Sequence, residues 1–135
     1  MKSMKMFAAL FCTAIVLAFT SCSKDDIEKD IVGTWKGISA TYTETYNGET
    51  RTETMDYEDE LRLIFNDDKT FKTTYNGEVD GTGTWSVKDD KLTMDFGENE
   101  TETYKVNIDG NDMTLSRSES YGESSFTMVI KLKRV

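Results

Sequence analysis

From Ile31 onward, apolar and polar positions alternate with a period of two in a series of short stretches. These are Leu61, Leu63 and Phe65; Phe71, Thr73 and Tyr75; Gly83, Trp85 and Val87; Leu92, Met94 and Phe96; Tyr104, Val106 and Ile108; and Phe126, Met128, Ile130 and Leu132. Alternation of this kind marks strands with one face on a core and the other in water. Asn47-Gly48, Asn66-Asp67-Asp68, Asn76-Gly77, Lys88-Asp89-Asp90 and Asp109-Gly110 separate the stretches. Asn-Gly and Asp-Gly tolerate the positive φ that tight hairpins require. The pattern predicts eight or nine strands over roughly 35–46, 50–57, 60–66, 69–76, 82–88, 91–96, 101–108, 112–119 and 125–133. No window after residue 22 carries a helical period, although Ser23 to Ile31 has room for one turn.

Every predicted connection is short, so the simplest topology is an up-and-down meander. That many strands in one sheet either close or expose two edges. The expectation is therefore all-β: a small antiparallel up-and-down β-barrel of eight to nine strands over 31–135, preferred to a sandwich whose long crossovers the sequence lacks. Parity places Ile38, Ala40, Tyr42, Met55, Tyr57 and Tyr75 in the interior along with the apolar runs above, and it carries the last strand inward as far as Arg134. "TYNGE" occurs at 45–49 and 74–78, and "GTW" at 33–35 and 83–85. No single repeat unit fits both spacings, so these are turn and strand-entry chemistry used twice.

Residues 1–21 stand apart. Lys2 and Lys5 precede an apolar run from Met6 to Thr20, which ends on the small residue Ser21. This is the layout of a secretory signal, and the run is shorter than the ~20 residues that span a bilayer. "FTSC" at 19–22 resembles the lipobox of bacterial lipoproteins, with Phe19 in the place usually held by leucine. The resemblance implies cleavage before Cys22, acylation of that cysteine, and the lipid bilayer as a partner through its acyl chains. "SKDD" at 23–26 is similar to the export signal with which some Gram-negative bacteria send lipoproteins to the cell surface. That similarity gives Lys24, Asp25 and Asp26 the role of an address, beside the simpler reading of 22–30 as an acidic tether. The expected location is the outer membrane, lipid-anchored and exposed at the cell surface.

Composition narrows the chemistry. The chain has 25 acidic and 16 basic side chains, no histidine, no proline, and two cysteines. Lys2 and Lys5 leave with the signal, taking the net charge of −9 two units lower, and a domain so acidic repels phosphate backbones, which excludes nucleic acid as a partner. Without an imidazole base, triads of the usual kind are excluded, and most carboxylates fall in turns or on wet faces. The expectation is no enzyme and no cofactor. Asp109, Asn111 and Asp112 are hard oxygen donors, but "DGND" lacks the spacing of a calcium loop, so no metal site is expected.

"IVGTWKG" at 31–37, "LIFNDDKTFKTTY" at 63–75, "GTGTWSVKDDKLTM" at 81–94, "TYKVNI" at 103–108 and "DMTLSRS" at 112–118 together resemble the lipocalin-like domain of small Gram-negative lipoproteins. The resemblance implies that Gly33 and Trp35 close one end of the barrel, with the indole as plug. Parity adds Arg134 over that indole. At the other end, Tyr42, Tyr57, Tyr75 and Tyr104 are expected as pocket walls, with Arg117 among the charged rim residues Glu44, Glu53, Glu102 and Glu119. The expected function is a monomeric, non-catalytic module that binds a small amphipathic or sugar-like ligand in a largely filled barrel. The alternative is an interaction lipoprotein whose outer surface does the work.

Overall fold

The computed structural model describes residues 24–135, with side chains from Ile27 onward. Residues 1–23 lie outside it, and with them the signal segment and Cys22. One helix, α1 (Lys24–Ile31), precedes nine strands. These are β1 (Gly33–Tyr46), β2 (Glu49–Asp56), β3 (Leu61–Phe65), β4 (Thr70–Tyr75), β5 (Glu78–Lys88), β6 (Lys91–Gly97), β7 (Glu100–Asp109), β8 (Asp112–Tyr121) and β9 (Ser124–Arg134).

The strands form one antiparallel sheet in which consecutive neighbours pair from β3 to β9, and β9 returns to β1. The 14-residue β1 makes this closure possible. Its first part, Gly33 to Lys36, pairs with β3; its second part, Ser39 to Tyr46, pairs with β2; and nearly its whole length pairs with β9. The result is an eight-stranded closed barrel with β2 as an added strand. Past the barrel, β2, the second half of β1, the first half of β9 and the end of β8 continue as a four-stranded flap.

Two large apolar side chains pack at the closed end, Trp35 at 0% and Phe65 at 1% exposure. Leu92, Val106, Met113, Leu115 and Leu132 fill the barrel beside them. The Trp35 indole N–H donates to the carbonyl of Ile31 at 2.9 Å. The Arg134 guanidinium lies over the Trp35 ring and donates to the carbonyls of Asp30 at 2.7 Å and Val32 at 3.2 Å. The first is one of the carbonyls that a helix leaves without partners at its C-terminus, and the second belongs to the residue just past it. Gly33 has φ +137°, and a Cβ there would lie 3.1 Å from the Arg134 guanidinium.

The stretch read as a solvated tether is helical from Lys24 onward. Ile27 and Ile31 stand one turn apart on the face that meets the core, and Glu28 pairs with Lys69 at 2.9 Å. Two apolar residues at i and i+4 are too few to register as a period, yet enough to dock two turns of helix on a preformed surface.

Three residues assigned to the interior are exposed instead: Ile38 at 41%, Met55 at 46% and Tyr75 at 43%. The β1–β9 register shifts between Gly37 and Ser39, and this bulge turns Ile38 to the outer wall beside Thr114, Lys131 and Lys133. Met55 is on β2, which overhangs the barrel and is exposed along its whole length. Tyr75 is at the end of β4, where its hydroxyl donates to Glu60 at 3.2 Å.

Candidate ligand site at the barrel mouth

Bulges shape the open end. Between β4 and β5, Thr73 faces Gly81 and Thr74 faces Val79, which leaves Asp80 as an extra residue. Between β6 and β7, Asp95 faces Thr101 and Gly97 faces Glu100, which leaves Phe96 extra. A bulged residue is freed from the ladder and can be re-aimed. Both line the same cavity.

That cavity has a volume of about 290 Å³. Leu61, Leu63, Met94, Phe96, Leu115 and Ile130 make its apolar wall, and Thr73, Asp80, Glu102 and Tyr104 supply its polar groups. Phe96 is fixed edge-on against Phe71, with ring centroids 5.0 Å apart. A larger concavity of about 450 Å³ lies at the tip of the β1–β2 hairpin against Glu44, Tyr46 and residues 49–51. Its walls are hairpin side chains rather than barrel interior.

The polar side of the mouth is tightly coupled. Tyr104, 6% exposed, donates to Glu102 at 2.6 Å. Burial first, and that bond second, push its phenol well above the ordinary tyrosine range, so it stays a fixed donor. Arg117 lies over the Tyr104 ring at 5.7 Å, binds Glu119, and reaches Glu102 at 4.0 Å. The bond to Glu119 holds the guanidinium charged. Glu119 also accepts from Tyr121, and these two donors, Tyr121 first, hold its carboxyl below the ordinary range. Asp80, by contrast, enters no ion pair among the described residues.

The tyrosines proposed from sequence fall into two groups. Tyr104 is in the cavity wall with Arg117 against it. Tyr57, 9% exposed, lies near Tyr42 and Tyr75; burial and then those neighbouring phenols raise its pKa. Tyr42 itself packs on Phe126, with centroids 6.0 Å apart, on the inner face of the flap. Of the rim residues, Glu102 lines the cavity, Arg117 and Glu119 stand beside it, and Glu44 is at the hairpin tip. Glu53 is opposite Tyr42 on β2. Asp80 was not foreseen, because a bulge inside "EVDGTGTW" leaves no trace in the alternation. The backbone of Lys24, Asp25 and Asp26 forms the first turn of α1, at the other end of the barrel.

A family model described as a lipocalin-like domain matches residues 31–115. The chain belongs to the lipocalin-like domain family. No curated protein and no solved structure matches the chain. The lipocalin-like fold is in general a non-catalytic binding fold, and here its closed end, barrel and mouth are built from the residues just described. Among the described residues, no three His, Cys, Asp or Glu side chains gather as a metal site, and no helix is long and apolar enough to cross a membrane.

Proposed function

We propose that this lipocalin-like chain is a membrane-anchored binding module that holds a small amphipathic or sugar-like ligand at the barrel mouth. The observation that carries the reading is the 290 Å³ cavity, apolar on one side and carrying Asp80, Glu102 and the Tyr104 hydroxyl on the other. Its volume suits a small molecule at the lower end of the usual range for ligand pockets. The apolar wall takes the carbon skeleton. Two carboxylates favour a head that donates hydrogen bonds, such as hydroxyls or an ammonium, over an anionic one. Below the cavity the barrel is filled by its own side chains, which leaves no room for a long acyl chain. Anchoring through an acylated Cys22 and display at the outer membrane rest on the sequence pattern at 1–26.

The test is to isolate the full chain in detergent, denature it, and search the released material by mass spectrometry. The expected result is one small molecule in stoichiometric amount that is lost from Leu115→Trp, which fills the cavity, and reduced in Glu102→Gln. A ligand retained in full by both variants would overturn the site.

A second reading, an interaction lipoprotein that works through its outer surface, is favoured by the outer face of the flap. There Thr54, Thr41, Val129 and Ser116 form one row, Thr52, Thr43, Thr127 and Ser118 the next, and Thr50, Thr45, Ser125 and Ser120 a third. Hydroxyls bond across it from Thr41 to Thr54 at 3.1 Å, Thr45 to Thr50 at 3.0 Å, and Ser118 to Thr127 at 3.0 Å.

A further inference from the structure

Among the described residues, β2 pairs with β1 alone, so its far edge presents main-chain donors and acceptors to solvent. Such an edge is a template for another strand. Which groups it offers follows from the hairpin. The two-residue turn Asn47-Gly48 has φ of 51° and 83°, the signature of a type I′ loop. Its closing pair, Tyr46 and Glu49, is a hydrogen-bonded one, and pairs alternate from there. Glu49, Arg51, Glu53 and Met55 therefore turn their main-chain groups toward β1. Thr50, Thr52 and Thr54 turn theirs to the open edge. The close hydroxyl contacts of these threonines with β1 fit that phase, because side chains approach most closely in pairs without main-chain bonds.

Charge on this edge is self-complementary in two registers, and in only one of them along the whole strand: centring on Thr50 sets Arg51 against Glu49 but runs Thr52 and Glu53 into the Asn47-Gly48 turn of the other copy. For a symmetric antiparallel pair that keeps the sheet face continuous, a residue must meet one of the same parity in the second copy. Centring on Arg51 sets arginine against arginine and Glu49 against Glu53. Centring on Glu53 sets glutamate against glutamate. Centring on Thr52 sets each Arg51 against the other copy's Glu53, places Glu49 beside Met55, and brings Thr50, Thr52 and Thr54 together as hydrogen-bonding partners. Opposite charges directly across a strand pair stabilise it and like charges oppose it.

We propose that β2 is a self-association edge: two copies of this chain pair antiparallel through β2 about a two-fold axis at Thr52, joining their flaps into one continuous sheet. This replaces the monomer that the sequence alone predicts. The added strand, its open edge and its charge order argue for the isologous pair. The two-fold reverses the strand, so the second barrel is turned end for end. Nothing in this pairing uses the cavity, and it stands apart from the ligand reading.

The test is disulfide trapping in the full chain extracted in detergent. Thr52→Cys places two thiols across the axis, where facing Cα atoms are about 5.5 Å apart, within disulfide reach. Thr50→Cys places its two copies about 13 Å apart, out of reach. Under mild oxidation Thr52→Cys is expected to give a covalent dimer and Thr50→Cys none above the wild-type background. Adding Arg51→Glu to Thr52→Cys is expected to lower the yield about tenfold, and adding Glu53→Arg as well to restore it. β2 is exposed throughout, so these changes leave the barrel intact. Equal trapping at 50 and 52, or a charge swap that fails to restore, overturns the proposal.

Discussion

The Arg134 guanidinium stands 4.2 Å from the centroid of the Trp35 ring, and the two residues face each other across the β1–β9 register. The first and last strands are thus joined by side chains at the point where the barrel ends, and the same guanidinium takes up one carbonyl in the last turn of α1 and one just past it. Arg134→Ala removes a cation–π contact and these charge-assisted bonds together. The expected loss is about 1–3 kcal/mol, read as a lower midpoint in urea. Arg134→Lys should recover part of it, since a lysine keeps the charge but lacks the planar fork.

At Gly83, β5 runs close against the Asp95 main chain of β6. A Cβ at this position would overlap the Asp95 carbonyl oxygen and come within 2.8 Å of the Phe71 ring. Neither neighbour is the free end of a flexible chain, so Gly83→Ala should cost more than about 3 kcal/mol. Ser86→Ala, on the exposed face of the same strand, should fall within about 0.5 kcal/mol of wild type. Thermal unfolding of the two variants checks the contrast.

High pH should destabilise the mouth before the closed end. The Tyr104 phenol is raised by burial and by its bond to Glu102. A group whose folded pKa lies above the unfolded value contributes stability that is fully present below the unfolded pKa, near 10 for tyrosine, and lost as pH rises through the folded one. Tyr57, Tyr75 and Tyr121 are raised as well, but Tyr104 is raised furthest, so phenolate absorbance should show a last step that comes together with unfolding. Tyr104→Phe should remove that late step. If it persists in the variant, another phenol is responsible.

Cys22→Ser should move the chain from the membrane fraction to the soluble one, because stable anchoring rests on acyl chains. Mass analysis should find the mature N-terminus at Cys22 with an acyl mass on it. Replacing Lys24, Asp25 and Asp26 by alanine should keep that mass but protect the protein from protease applied to intact cells. Equal cleavage of wild type and variant would leave these residues as part of α1 and nothing more.

The strands were legible in the sequence because alternation and turns carry the same message. Asn47-Gly48 and Asn76-Gly77 mark hairpins, and the strand bounds fall within two residues of those expected, except that β5 begins four residues early, at Glu78, ahead of the bulge at Asp80. What escaped was everything that breaks the period. The bulge at Gly37 to Ser39 sends Ile38 outward, and the one before Gly81 brings Asp80 to the cavity. The flap escaped too, since parity says which face a residue takes but not whether a barrel stands behind it. Met55 has the parity of an interior residue and faces solvent. Arg134 shows the opposite case: an unbroken strand from Phe126 carries its inward phase to the end.

Ser23 alone separates Cys22 from Lys24, the first residue of α1, a span of at most about 7 Å. With acyl chains on Cys22, so short a link roots the helix at headgroup depth. The helix is packed under the closed end, so a chain anchored in that way would hold its closed end nearest the lipid and its mouth and flap farther out. That posture decides who can meet whom. An edge pairing that inverts the second barrel is closed to two copies rooted side by side in one bilayer, and open to two rooted in membranes that face each other.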